Sequence, residues 1–197
     1  LHSTSRRQRQ MCIRDRSRYV GKSIVWFDTS ANKKKSQKRT KGGSYINEEE
    51  KRIILEILDD LKSTGELKGL DIGIITGYSG QKELLRKSIK ATGLDKIASK
   101  IDINTLDAFQ GRENDIIIYS TVRTRDSIGF QKEKERVNVA FSRAKKLLIV
   151  CGDKNFFYNF DDQDNKFVEI IDYISEGEEC EIIQCDGGKL FERESNS

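Results

Sequence analysis

Two stretches combine residue types that can handle a polyanion. The first, TLDAFQGRENDIIIYSTVRTR (residues 105–125), sets a polar turn before an isoleucine run and two arginines after it. Gly111 would let the backbone close on a ligand and aim its neighbouring amides at phosphate oxygens. Gln110 and Glu113 would add hydrogen bonds or metal-linked contacts. Thr105 and Asp107 stand at the other end of the turn, and Arg123 and Arg125 leave the isoleucine strand at its carboxyl end. The second stretch, ERVNVAFSRAKKLLIVCGD (135–153), puts Val137, Phe141 and Ala144 on one helical face and Arg136 and Arg143, seven apart, in line away from it. A guanidinium there can neutralise charge developing on a transferring phosphoryl group. Taken singly, the first stretch also reads as a tight polar turn closed by its own hydrogen bonds. The second also reads as an amphipathic helix with a solvated basic face.

The elements that must hold these residues follow from periodicity. Strands are expected at SIVWFDTS (23–30), DIGIITGYS (71–79), KIDINTL (100–106), NDIIIYSTV (114–122), LLIVCG (147–152) and CEIIQC (180–185). Between them lie helical patterns. Ile46, Ile53, Ile54, Ile57, Leu58 and Leu61 share one face of a helix that Asn47 would cap, with Glu50 reaching back as its reciprocal partner and Gly65 as its stop. A second helix would start at the Ser79 N-cap and stop at Gly93; a third would cover 133–146. A short helix in DKNFFYNF and a longer one in NKFVEIIDYISEG complete the set. Strands apolar on both faces, alternating with helices, predict an α/β fold, a doubly wound and mainly parallel sheet covered on both sides. In such sheets ligands are expected at the carboxyl ends of the strands.

Composition narrows the partners. The 197 residues carry a net charge of +4, but residues 6–18 hold +5 of it and residues 32–41 hold +6, which leaves −7 for the rest. A globally basic nucleic-acid surface is not supported, so any basic groove must be local. Residues 31–43, ANKKKSQKRTKGG, read as a mobile basic loop, solvated in preference to bound. Residues 1–18 have no periodicity, and RRQRQMCIRDR resembles a translated sequencing adapter; they are set apart as a disordered, non-native tail, the other reading being a basic arm that binds nucleic acid. The folded domain is expected over 19–190, with 191–197 frayed. Four cysteines without a CxxC pair and a single histidine, His2, argue for reduced thiols and no metal site. No apolar run is long enough for a membrane and no signal peptide is evident, so the expected location is the cytoplasm, or the nucleus in a eukaryote.

Order and spacing add what single motifs lack. SYINEEE, IGIITGYSGQ, IDINTLDAFQGRENDIIIYSTVR, IGF and RVNVAFSRAKKLLIVCGD follow one another over roughly residues 20–155. This series resembles the second RecA-like domain of superfamily 1 helicases, in the branch of the Upf-like, nonsense-mediated-decay helicases. The resemblance implies a RecA-like, P-loop NTPase fold that shares ATP with a first RecA-like domain and tracks single-stranded DNA or RNA, 5′ to 3′. It implies that Arg143 is the catalytic arginine finger, that Gly111 and Glu113 sense the γ-phosphate and the nucleotide sugar, and that Gln110 couples nucleotide to strand. It implies that Thr76, Thr105 and Arg123 hold phosphates of the bound strand. Departures are Gly77 where the family usually has proline, Glu135 and Arg136 where it has paired arginines, and Phe141 and Ser142 for leucine and threonine.

No GxxxxGK[ST] phosphate loop occurs, and GYSGQK (77–82) has the wrong spacing. Nor does an acidic pair for Mg²⁺ follow an early apolar strand. The expectation is therefore the carboxy-terminal half of an ATP-dependent helicase, inactive alone, with its Mg²⁺ ligands in a first RecA-like domain elsewhere. The alternative is a stand-alone nucleic-acid-binding or regulatory module without ATP turnover.

Overall fold

All six apolar runs form strands, and they pair side by side because each is apolar on both faces. The computed structural model describes residues 19, 21–65, 69–96, 100–109, 113–132, 134–160 and 165–191. The strands are β1 (Ile24–Asp28), β4 (Asp71–Thr76), β5 (Lys100–Thr105), β6 (Asn114–Ser120), β7 (Ala144–Gly152) and β8 (Cys180–Gln184), in the spatial order β5-β4-β6-β7-β1-β8 with every pairing parallel. Two further strands of two residues, β2 (Lys38–Arg39) and β3 (Tyr45–Ile46), pair antiparallel as a separate hairpin. The helices are α1 (Glu48–Ser63), α2 (Ser79–Thr92), α3 (Lys134–Phe141), α4 (Lys154–Tyr158) and α5 (Lys166–Glu176).

Successive side chains along a strand point to opposite faces, and they sort into two cores. Val25, Phe27, Ile72, Ile74, Ile116, Ile118, Ile149 and Cys151 pack under α1 and α2 with Ile53, Ile57, Leu61, Leu85 and Ile89. Trp26, Ile75, Ile117, Tyr119, Leu148 and Val150 pack on the other side with Val137, Ala140, Phe157, Phe167 and Ile171 of α3, α4 and α5. The doubly wound α/β sheet with helices on both faces is thus present.

Several local expectations change. Asn47 does cap α1, its side chain accepting from the amides of Glu49 and Glu50. Glu50 does not reach back, however; its carboxylate turns to the carboxyl end of β6. Ser79 is the first residue of α2, not its cap. Tyr78 holds the cap position but its side chain does not cap the helix, and Ser44 Oγ accepts instead from the amide of Gly80 at 3.0 Å. The third helix stops at Phe141 and β7 begins at Ala144, so Arg143 lies in the turn between them. Asn114 donates its amide to the Arg143 carbonyl at 3.1 Å, and this first rung between β6 and β7 ends the helix. Arg136 and Arg143 therefore do not lie along one helical line. The segment 31–43, expected as a mobile loop, carries β2 and half of its hairpin.

One connection is unusually short. Parallel strands usually need a crossover of about a dozen residues or more, yet only residues 106–113 separate β5 from β6. These two strands flank β4, so the connection passes over β4 and returns the chain from the carboxyl to the amino end of the sheet. Phe109 presses onto β4 at Gly73, where an added Cβ would stand 2.5 Å from Phe109 Cζ and 2.7 Å from Ile117 Cδ1. Gly73→Ala should lower stability by about 1–3 kcal/mol through overpacking. Gly77→Ala, whose Cβ would meet nothing closer than 3.8 Å, should leave stability unchanged or raise it by about 0.4–1 kcal/mol. Urea midpoints of the two variants check the contrast; equal midpoints would refute it.

Candidate nucleotide and strand sites

The candidate residues divide between the two ends of the sheet. At the amino ends, Glu113 is exposed immediately before β6, and Asn114 bonds to the Arg143 carbonyl. Arg143 and Glu113 are thereby brought to one place. The Nε of Arg143 is buried and has no hydrogen-bond partner among the described residues. A buried, unpaired guanidinium nitrogen is costly, which makes this nitrogen a candidate donor to a bound acceptor. Gln110 and Gly111 lie outside the described residues. Arg136, on α3, makes an ion pair with Asp107 at 3.4 Å. Nearby, Asp115 accepts from the Asp71 amide and pairs with Lys146, and those partners hold its carboxyl below the ordinary value.

At the carboxyl ends, Thr105 and Thr76 are register partners, and Ser120 follows across β6. Thr105 is half-buried. Thr76 is fully buried, its hydroxyl accepting from the Tyr78 amide at 3.4 Å. Arg123 is also buried, at 4 % exposure. Its Nε donates to the Ser127 carbonyl at 2.7 Å, a terminal nitrogen donates to the Arg125 carbonyl at 3.3 Å, and its guanidinium carbon sits 4.2 Å from the Tyr45 ring centroid. Neither Thr76 nor Arg123 presents a free side chain. The family resemblance points to both, and its place after β6 also points to Arg123; neither signal reports burial.

Sequence reasoning missed what holds this end. Val122 has φ +67°, and the Arg123 amide donates to the Thr121 carbonyl at 2.8 Å across it. That is a γ-turn of the rarer, strained sense, at a β-branched residue. The Glu50 carboxylate, wholly buried, locks it. Both oxygens accept from the Val122 amide at 2.9 Å, and Ser120 Oγ (2.6 Å), Thr121 Oγ1 (3.1 Å) and Asn47 Nδ2 (3.2 Å) donate as well. Gln81 joins in, donating to Ser120 Oγ and to the Asn47 carbonyl and accepting from the Asn47 amide. Gln131 donates to the Thr121 carbonyl and accepts from Tyr119. The one available signal was polar residues at fixed places among apolar runs: Asn47, Glu50 and Gln81.

Burial pushes the Glu50 carboxyl up from 4.5 to about 7, against the pull of Ser120, Val122 and Thr121.

Comparison with known proteins relates this chain to a helicase family. A family model described as "AAA domain" matches residues 1–155. The chain is similar to DNA polymerase alpha-associated DNA helicase A of Saccharomyces cerevisiae, 36 % identical over 138 residues, covering 66 % of this chain and 19 % of that protein. It is similar to an uncharacterized ATP-dependent helicase of Methanocaldococcus jannaschii, 38 % identical over 136 residues, covering 69 % and 18 %. It is similar also to a regulator of nonsense transcripts 1 homolog of Neurospora crassa, 38 % identical over 116 residues, covering 57 % and 10 %. The chain thus spans a fifth or less of the length of these relatives. Among the described residues, no helix is long and apolar enough to cross a membrane and no cluster of His, Cys, Asp and Glu could hold a metal ion.

The locked turn generates a pH dependence with a defined sign. In the folded chain Glu50 keeps its proton to about pH 7, while the unfolded chain releases it near 4.5. Between these values the unfolded state binds fewer protons, so stability falls as pH rises and levels off above about 7. Glu50→Gln should flatten that fall in a plot of urea midpoint against pH, and parallel curves for the two proteins would remove Glu50 as the titrating group. Glu50→Ala, which orphans the buried Val122 amide, should cost about 2–4 kcal/mol at any pH.

Proposed function

Because the chain belongs to the AAA-domain family of Upf1-like superfamily 1 helicases, we propose that it supplies the carboxy-terminal RecA-like half of an ATP-driven translocase on single-stranded nucleic acid. The observation that carries this reading is the buried, unpartnered Nε of Arg143 beside the entry to β6. Arg143 acts as the arginine finger, meeting the γ-phosphate of an ATP held by a first RecA-like domain. Glu113, with Gly111 and Gln110, contributes to the same nucleotide. The phosphate loop and the Mg²⁺ ligands belong to that other domain, and this chain alone does not turn ATP over. Its residues fit the role: an orphan guanidinium suits a polyphosphate, and no local metal cluster is needed for it.

The strand runs at the opposite end of the sheet. There Thr105 offers a half-exposed hydroxyl, while Thr76 and Arg123 shape the surface from inside, through the Tyr78 amide and the 125–127 loop. A motor must grip the backbone and ignore the bases, so hydroxyls and amides suffice. A module that only binds would have no use for the unpaired Nε of Arg143 at the amino ends, which argues against the stand-alone reading. The work is cytoplasmic or nuclear.

In a polypeptide joining this chain to its first RecA-like domain, Arg143→Ala should lower kcat for ATP by about 10³–10⁵ and leave strand affinity near the parent value. Steady-state hydrolysis and fluorescence anisotropy measure the two; undiminished turnover would end the finger assignment.

A further inference from the structure

The segment between β1 and α1 has no acidic residue from Thr29 to Asn47, yet holds six cations. Only Lys35 is neutralised, by Asp153 at 2.7 Å. Lys33, Lys34, Lys38, Arg39 and Lys41 are exposed and make no ion pair among the described residues. Elsewhere some cations are paired, Lys51 with Glu48, Arg52 with Glu49, Arg86 with Glu83, Lys146 with Asp115 and Arg136 with Asp107, and those without an ion pair among the described residues, such as Lys62, Lys87 and Lys100, are spread over separate elements. On a chain whose remainder is acidic, five adjacent uncompensated charges stand apart.

They are also carried on a defined base. Thr40 donates its amide to the Ser44 carbonyl and Gly43, at φ +82°, closes the turn onto Thr40. Gln37 is buried and exchanges two bonds with Thr124, its amide donating to Thr124 Oγ1 at 3.2 Å and its Oε1 accepting from the Thr124 amide at 2.9 Å. Tyr45 lies under the Arg123 guanidinium and edge-on to Tyr78, with centroids 5.6 Å apart. Ser44 caps α2 through Gly80, whose absent Cβ leaves Ile46 room to approach. The hairpin is thus fixed by one side to the carboxyl-end cluster around Thr76, Tyr78 and Arg123, and turns its lysines outward.

We propose that the β2–β3 hairpin with the segment leading into it, which together carry Lys33, Lys34, Lys38, Arg39 and Lys41 without an ion pair among the described residues, is a clamp for the phosphodiester backbone of the single strand. It rests on the reading of the carboxyl ends as the strand path. Lysines on such a surface act as point charges, so the clamp grips any sequence and distinguishes neither DNA from RNA.

The test compares two variants of the 197-residue chain with equal net charge. One replaces Lys33, Lys34, Lys38, Arg39 and Lys41 by glutamine; the other replaces the exposed Lys62, Lys87, Lys90, Lys96 and Lys100. Anisotropy of labelled oligo-dT and oligo-U is followed against salt. Each lost phosphate contact removes about 0.7 from the slope of log affinity against log salt, so the hairpin variant should lose about 2 or more from that slope and bind at least about tenfold more weakly at low salt. The control should keep the parent slope. Circular dichroism and urea midpoints equal to the parent's confirm folding. Equal losses in both variants, an unchanged hairpin variant, absence of salt-dependent binding by the parent, or preference for polyglutamate over the oligonucleotides would each overturn the clamp. None of these outcomes bears on Arg143, whose test is ATP turnover.

Discussion

The carboxyl end of this domain depends on a single carboxylate. Val122 sits in a γ-turn that its branched side chain disfavours, and such turns persist only when their surroundings over-determine them. Glu50 does so by accepting from Val122, Ser120, Thr121 and Asn47 at once. Because Asn47 also starts α1 and binds Gln81 of α2, one buried network fixes the ends of β6, α1 and α2 together. Arg123 leaves the sheet in a direction that this turn sets, and its stacking on Tyr45 then seats the hairpin. Surface features at this end are consequences of an interior one.

The two ends of the sheet have different characters. At the carboxyl end of β6 the polar groups around Glu50 are paired to one another, while beyond β1 Thr29 Oγ1 and Asn32 Nδ2 are buried without a hydrogen-bond partner among the described residues. The amino end holds an exposed Glu113 and a guanidinium nitrogen without a partner among the described residues. The general rule for open parallel sheets puts ligands at carboxyl ends, yet Arg143 and Glu113 lie at the other. Under the proposed function, with a partner domain completing the site across a cleft, this domain would have no need to hold nucleotide at its own switch point.

Much of the fold was legible because strand and helix leave different periods in the chain. Six strands and their helices stand where alternation placed them, and both faces are covered as the doubly apolar runs required. What failed were the junctions. Val137, Phe141 and Ala144 share an apolar spacing that runs smoothly past the true helix end, because Ala144 packs into the same core from the start of β7. Only the hydrogen bond from Asn114 decides where the helix stops, and that partner is distant in sequence. Asn47 and Glu50 fit a local capping pair, and nothing nearby announces that the end of β6 arrives to claim the glutamate. The same limit applies to Thr76 and Arg123, whose types do not reveal that both are buried.

The passage over β4 has a bearing on which lengths this chain tolerates. From Thr105 to Asn114 there are nine Cα steps, and the path must descend the full height of the sheet, about 20 Å at 3.3 Å per strand residue, while shifting two strand spacings sideways. Asp107–Phe109 form a tight 3-10 turn, which advances only about 2 Å per residue. The connection therefore has only a few ångströms of length to spare, so deletions within it should be tolerated poorly. The span between β1 and α1 faces no such geometric ceiling, so insertions and deletions among related chains should accumulate there and spare the bridge over Gly73.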